Sequence, residues 1–397
     1  MSQTEPSTNS ERAVQNRIIK LLCDKNGYEY IGNLKDVENG NIREETLRKF
    51  LIEHQELTSI QASEAIRKLK DAAVCPNKEA LYNSNKAAYN TLRYAVSVSQ
   101  GVGLPNKQVW LIDWKDSYNN IFEIAEEVTV RKQTVGDEHR RPDVVVYING
   151  IAVAIIELKK ATVSVEDGIN QNWRNQQEGQ IPQFFSTAQL LMAGSESQGV
   201  YYGTTLTPPK YYLHWKEPAG DGYPYDTDKL PVSSSVYGQK EFPNELDRSL
   251  MQMLQPDRLL EFIHDCVVFD GGVKKVARPN QYFAIVAAKT RIKNKQSGII
   301  WHSQGSGKSL TMVWLAQWIR ENVDDSRVVI ITDRDELDKQ IENGFKDAGE
   351  HPIRAKSGDH LIKMLEGKND RRGEEKMPAL ICTLIHKFGL ADDPEDI

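Results

Sequence analysis

Asp143, Glu157 and Lys159 are the residues whose types and spacing first suggest chemistry. Glu157 and Lys159 stand two apart in an extended apolar run, so an acid and an ammonium emerge on the same face of a strand. Such a pair is either a site or a salt bridge. If Asp143 joins them, two carboxylates about 5 Å apart repel by about 3 kcal/mol at an effective dielectric of about 20. One must then take a proton, or a cation must sit between them. A divalent metal is the functional solution, and oxygen ligands with no His or Cys nearby suit Mg2+ or Mn2+ over zinc. Asp143 and Glu157 are therefore the predicted ligands. The cation would polarise a phosphate oxygen and activate water, while Lys159 would orient that water or stabilise charge building on the phosphorus oxygens.

A second constellation lies further along. Ser297–Trp301 reads as a short buried strand, followed by His302-Ser303-Gln304-Gly305-Ser306-Gly307-Lys308-Ser309 and an amphipathic helix through Trp314, Leu315, Trp318 and Ile319. Glycines let consecutive backbone N–H groups wrap phosphates, and a helix N-terminus adds positive potential. Gly305, Ser306 and Gly307 form the loop, Lys308 reaches the outer phosphates, and the Ser309 hydroxyl serves Mg2+. The implied cofactors are ATP and Mg2+.

The acids must be positioned by two strand-like runs, Pro142–Ile148 and Ile151–Lys159, joined by the hairpin signal Asn149-Gly150. Both are nearly continuously apolar, as strands covered on two faces are. A strict two-residue turn pairs Ile148 with Ile151 and sets Asp143 opposite Ile156, leaving the acids on different faces. Convergence requires a slip of one: a bulge, a three-residue loop at Asn149-Gly150-Ile151, or a bend at Asp143. Upstream, Ser10 can cap a helix carrying Val14, Ile18, Leu21 and Leu22, with further amphipathic stretches at Arg43–Glu53 and Ser59–Lys70 and an extended region from Val109. Val163–Gln176 reads as a helix, Gly194–Gln239 as irregular strands and long loops, and Leu246–Phe262 as helical. Asp270-Gly271-Gly272 marks a domain boundary.

A chain of 397 residues holds two or three folding units. Apolar residues make up 39% and charged residues 27%, with mean hydropathy -0.54, which fits buried cores under a polar surface and excludes disorder throughout. The longest apolar run, Ile151–Ile156, falls far short of the ~20 residues of a membrane helix, so no membrane partner and a cytoplasmic location are expected. Cys23, Cys75, Cys266 and Cys382 lie far apart, indicating reduced thiols instead of a zinc ribbon or disulfide framework. With a net charge of -6, contact with nucleic acid must use local basic patches. Arg131-Lys132, Arg140-Arg141, Lys159-Lys160, Lys274-Lys275-Arg278 and Lys289–Lys295 are candidates, each singly no more than a solvated face.

Pro142-Asp143, Glu157 and Lys159 resemble the PD-(D/E)xK nuclease superfamily, whose metal-binding acids and lysine occupy such a hairpin. The resemblance implies an α/β domain with a mixed sheet flanked by helices and Mg2+-dependent phosphodiester cleavage. Glu11 lies where relatives carry a supporting acid, although the helix dipole alone accounts for an acid there. Gln171 resembles the first residue of the Gln-x-x-x-Tyr element of restriction and recombination nucleases, as a supporting or DNA-contacting group; Asn175 stands where the Tyr would be. The glycine loop resembles the P-loop of superfamily 2 helicases with His302 replacing the first glycine, and Arg278-Pro-Asn-Gln281-Tyr282 resembles their adenine-recognising element. Arg327–Asp333 and Leu380–Thr383 then read as strands of a partial RecA-like lobe with a parallel sheet.

Ile397 arrives before an acidic Asp-Glu motif, since Asp392, Asp393 and Glu395 follow no apolar strand. ATP binding without hydrolysis, in a piece of a larger subunit, is the expectation. The order of motifs resembles the restriction (motor) subunit of type I restriction-modification enzymes, with a nuclease domain over 1–265 and a partial first helicase/translocase lobe over 266–397. That family implies an ATP-dependent, site-specific endonuclease and translocase acting on double-stranded DNA with methyltransferase (modification) and specificity subunits. The alternative is a helicase or translocase fragment whose N-terminal domain serves only subunit assembly.

Overall fold

The computed structural model describes residues 10–134, 136–217, 242, 244–366 and 378–389. The acidic tail at Asp392–Glu395, and Gly194–Gln239 beyond residue 217, lie outside the described residues. The chain divides into two compact units, Met1–Val267 with Lys274–Pro279, and Val268–Val273 with Asn280–Ile397.

The first unit is built on a seven-stranded mixed sheet. Its strands are β1 (Glu29–Asn33), β2 (Phe122–Glu126), β3 (Val144–Ile148), β4 (Ile151–Lys159), β5 (Leu190–Ser195), β6 (Gly199–Gly203) and β7 (Leu213–His214), lying side by side in chain order. The β1–β2 and β4–β5 pairs are parallel and the others antiparallel. Every residue of β3 and β4 is buried, which explains their unbroken apolar runs.

Helix α1 (Glu11–Asn26) starts where the Ser10 hydroxyl accepts from Ala13 N at 3.1 Å, and it buries Val14, Ile18 and Leu22 at four-residue spacing. Helices α2 (Glu44–Glu53) and α3 (Ser59–Ala72) follow, the latter opened by a Thr58/Gln61 capping box. The next helix, α4 (Leu81–Arg93), falls where the sequence pointed to none. Its buried face mixes Asn85 with Leu81, Ala88, Tyr89 and Leu92, and the Asn85 amide donates to the carbonyls of Phe185 and Ala188 at 3.0 and 2.8 Å. A helix held partly by buried hydrogen bonds leaves a weak apolar period.

Helix α5 (Val165–Asn175) makes the crossover between the parallel strands β4 and β5. Its Val165 and Ile169 join Val145, Ile155, Leu191, Phe184 and Phe185 in one core. Helix α6 (Glu245–Met253) covers the opposite face: a Cβ on Gly194 would meet Leu246 at 2.4 Å, and Ala193 on the other side belongs to the α5 core. The helical stretch expected over Leu246–Phe262 is broken, because Pro256 starts a separate helix, α7 (Pro256–Asp265).

The second unit carries a parallel sheet of β8 (Val328–Thr332), β9 (Ile353–Arg354) and β10 (Leu380–Leu384), ordered β8-β10-β9. Its helices are α8 (Pro279–Lys293), α9 (Lys308–Asn322), α10 (Asp335–Asp347) and α11 (Gly358–Glu366). One expectation is overturned here. Ser297–Trp301 forms no strand; Ile299 is 81% and Trp301 91% exposed, and among the described residues no strand pairs with them. A short apolar run becomes a strand only where a neighbour supplies the ladder and a covering layer, and neither reaches these residues. All four cysteines are free, and no helix among the described residues is long and apolar enough to cross a membrane.

Candidate active site

The β3–β4 turn is tight, with Asn149 and Gly150 both left-handed (φ 52° and 78°), and it pairs Ile148 with Ile151. Tyr147 then faces Ala152, but Val146 faces Ala154, so Val153 is an extra residue on β4. From there Val145 faces Ile155 and Val144 faces Ile156. Continued one step, this register sets Asp143 opposite Glu157 and turns both acids to one side of the sheet. The bulge supplies the slip of one that convergence required.

Asp143 Oδ2 accepts from Leu158 N at 2.8 Å and lies 3.5 Å from Lys159 Nζ. Lys159 Nζ also donates to Glu11 Oε1 at 2.7 Å and to the Leu158 carbonyl at 3.2 Å. The Asp143 carbonyl is fixed twice, by Gln15 Nε2 at 2.7 Å and Glu127 N at 3.0 Å. The structure thus brings Glu11, Asp143, Glu157 and Lys159 together, with α1 delivering Glu11 from its first turn. Gln171 is half-buried one turn after Gly168 on α5, and a Cβ on Gly168 would stand 3.3 Å from Glu157 Cβ. Asn175 is buried, with its side-chain oxygen unpartnered, and its carbonyl accepts from Ile181 N.

Glu157 is fully buried and neither carboxylate oxygen has a protein donor. Burial, then repulsion from Asp143, pushes its carboxyl well above the usual range. Burial also raises Asp143, against the pull of Lys159. Burial works to lower the Lys159 ammonium, but Asp143, Glu11 and Glu157 outweigh it and raise it, keeping the amine charged. A buried acid facing a second acid either keeps its proton and shares it with Asp143 or takes a hard cation between the two. The oxygen donor set therefore fits Mg2+ or Mn2+, which Asp143 and Glu157 would hold.

Two groups near the site had escaped notice. Glu127 stands in the same cross-strand row as Asp143, and its carboxyl is raised by burial and then by Asp143. It lies directly after the strand Phe122–Glu126, whose two acids at Glu123 and Glu126 masked the signal. Tyr212 has a buried hydroxyl without a partner, pushed up by burial and by the Glu157 charge; no sequence period announces it.

In the second unit α9 begins at Lys308 behind Gly307, whose φ of 87° suits glycine; Gly305 is likewise left-handed at 76°. Ser306 N and Oγ both donate to the Ser303 carbonyl, and Lys308 Nζ donates to the carbonyls of His302 and Ser303 at 3.1 Å. Ser309 lies in the first turn of α9. Gln281 is buried on α8, and its Nε2 donates to the Gly307 carbonyl at 2.8 Å, bracing the loop. Arg278 is exposed and belongs to the first unit.

A mixed sheet carrying clustered carboxylates and a lysine, in a chain that also has a glycine loop leading into a helix, defines a nuclease-like α/β protein with an ATPase-type segment. The family model described as type I restriction enzyme R protein N terminus matches residues 8–210, a little over half of the chain, and the chain belongs to that family. A model for SWI2/SNF2 ATPase matches residues 280–396. Among similar proteins, a Methanocaldococcus jannaschii protein provisionally named the MjaIXP endonuclease subunit of a type I restriction enzyme is 29% identical over 300 residues, 71% of this chain and 27% of that protein. The type I restriction enzyme HindI endonuclease subunit of Haemophilus influenzae is 25% identical over 333 residues, 78% of this chain and 29% of its own length. The SsaAORF53P endonuclease subunit of Staphylococcus saprophyticus is 25% identical over 285 residues, 70% and 27% respectively. The chain therefore spans under a third of the length of the curated relatives it matches.

Proposed function

We propose that this chain is the nuclease and ATP-binding part of a type I restriction enzyme motor subunit. In this reading the first unit, over about residues 1–265, is a PD-(D/E)xK nuclease, and 266–397 is a partial RecA-like lobe. The carrying observation is the bulge at Val153, which turns Glu157 toward Asp143, together with the buried, orphaned oxygens of Glu157 beside Lys159.

Asp143 and Glu157 would hold Mg2+, which supplies charge stabilisation on the phosphate and a more acidic water. Lys159, kept cationic by three acids, faces the charge that builds on the phosphodiester oxygens. Glu11 fixes the Lys159 ammonium, Gln15 fixes the Asp143 backbone, and Gln171 serves as a supporting or DNA-contacting amide. Gly305, Ser306, Gly307 and Lys308 would cradle ATP phosphates with Ser309 on their Mg2+, and Gln281 would serve the adenine. The partners are double-stranded DNA in the cytoplasm and the methyltransferase and specificity subunits.

The test is nicking of supercoiled plasmid in Mg2+ or Mn2+. Cleavage by the wild type that disappears in Asp143→Ala and Lys159→Ala supports the reading. Undiminished cleavage in both variants excludes this site, and a chain that binds the methyltransferase subunit yet never takes up metal or cuts is an assembly module instead.

A further inference from the structure

The end of the sheet that carries Asp143 and Glu157 holds a second cluster, built on Glu126, the last residue of β2. Glu126 faces Val144 across the ladder, so it stands one step from Asp143 but on the face where α1 lies. It is 2% exposed, and its Oε1 accepts three times: from Arg12 Nη2 at 2.6 Å, Tyr30 Oη at 2.8 Å and Asn33 Nδ2 at 3.1 Å. Its Oε2 is buried without a partner. Such a carboxylate costs stability that a half-exposed cation returns only in part. What the three donors do achieve is to fix two surface side chains on one atom.

The Arg12 side chain and Tyr30 are each 42% exposed. Tyr30 stands on β1, the outermost strand, so its ring has an open side. Burial, then the bond to Glu126, pushes its hydroxyl up to about 12, which keeps it a donor. Arg12 Nη1 reaches Gln15 Oε1 at 3.5 Å, and the Gln15 amide donates onward to the Asp143 carbonyl. Among the described residues no acceptor meets the other N–H groups of Arg12. Glu11, the residue before it, holds the Lys159 ammonium around the end of the sheet. The Glu127 carboxyl feels both sides of this end: burial and then Asp143 raise it, while Arg12 pulls it down. A guanidinium fixed in this way borders the acids without occupying their site.

We propose that Arg12 and Tyr30 form a nucleotide subsite beside the metal-binding acids, the guanidinium gripping a backbone phosphate of double-stranded DNA and the tyrosine ring packing on the adjoining deoxyribose. Glu126 is the positioning residue for both. The planar fork of N–H groups matches phosphate oxygens, and holding it in place beforehand lowers the ordering cost of the contact. The subsite rests on the nuclease reading for the choice of DNA as its ligand.

Anisotropy of a fluorescein-labelled 30-base-pair duplex in Ca2+ across a salt series tests it, with thermal unfolding of the same variants alongside. Arg12→Gln is expected to bind roughly tenfold more weakly near 0.15 M salt and to lower the slope of log K against log salt by about 0.9, one phosphate contact. Arg12→Lys, which keeps the charge without the fork, should regain the slope and only part of the affinity. Tyr30→Ala should weaken binding at an unchanged slope, because a ring contact releases no counterion. The decisive protein combines Arg12→Gln with Glu126→Gln. If Arg12 served only to satisfy Glu126, removing the acid as well would restore both stability and binding; a phosphate grip leaves binding weak while the unfolding temperature recovers. Arg67→Gln, also paired with an acid but on α3, should bind like the wild type. Binding restored in the double variant, binding undiminished in Arg12→Gln, an equal loss in Arg67→Gln, or a wild type that does not bind the duplex would each overturn the subsite. Arg12-dependent binding by a chain that never nicks plasmid leaves the subsite standing and removes the nuclease; Asp143-dependent nicking with Arg12-independent binding does the reverse.

Discussion

Replacing Glu157 by Gln should make the metal-free protein more stable and abolish its response to metal. The hairpin register sets Asp143 and Glu157 opposite one another, where side chains of paired residues stand about 5 Å apart. Two unit charges at that separation repel by about 3 kcal/mol at an effective dielectric of about 20, which sets the scale of the repulsive part of the gain. The gain depends on pH. Burial and then Asp143 raise the folded Glu157 carboxyl above its unfolded value of about 4.3, so its favourable contribution is complete below that pH. It is lost as the pH climbs toward the raised folded value, at about 1.4 kcal/mol for each unit of displacement. Gln carries no such dependence, and its amide can donate to Asp143. The two proteins should therefore unfold alike near pH 4 in EDTA and diverge above it, the variant being more stable by about 1–3 kcal/mol at pH 8. Mn2+ at about 100 times its dissociation constant should stabilise the wild type by about 2.7 kcal/mol and leave the variant unmoved. Thermal unfolding at pH 4 to 9, with EDTA or Mn2+, measures both effects. A variant less stable than wild type at pH 8 in EDTA, or one still stabilised by Mn2+, would refute the argument.

Lys159→Ala should abolish plasmid nicking while retaining Mn2+-induced stabilisation, because the amine contacts Asp143 without being an oxygen ligand; loss of both would show that Lys159 holds the fold of the site. Gly307→Ala places a Cβ 2.4 Å from Gln281 Nε2 at φ 87°, so binding of a fluorescent ATP analogue should fall at least tenfold while Mn2+ binding at Asp143 persists. Gly150→Ala puts a Cβ 2.5 Å from the Arg43 carbonyl at φ 78°, which should cost about 2–4 kcal/mol in denaturant unfolding, the strain of the turn adding to the clash.

The β3–β4 hairpin was legible because Asn149-Gly150 is so specific a turn, and the acids, lysine and glycine loop were legible as residue types at fixed spacing. The bulge was legible only as one of three alternatives, since its position at Val153 depends on packing that no local pattern records. Helix α4 was hidden because buried hydrogen bonds from Asn85 replace part of its apolar face. Ser297–Trp301 misled because apolar residues were mistaken for a strand that lacks a neighbour. Tyr212 reaches the surroundings of Glu157 from far along the chain, a proximity that only the folded sheet creates.

Because β4 is apolar on both faces, burial alone barely distinguishes one alignment of the hairpin from its neighbour, and the choice is made elsewhere. Arg43 N donates to the Gly150 carbonyl at 2.7 Å, Ala152 N to the Asn41 carbonyl at 2.9 Å, and Ile42 bridges Ile151, clasping the tip of the hairpin. Six residues of strand, roughly 20 Å, separate Ile151 in that clasp from Glu157. A mutation near residue 42 can thus undo the pairing of the acids from the tip of the hairpin, by letting the ribbon set one notch out of phase and leaving a folded protein whose two acids look away from each other.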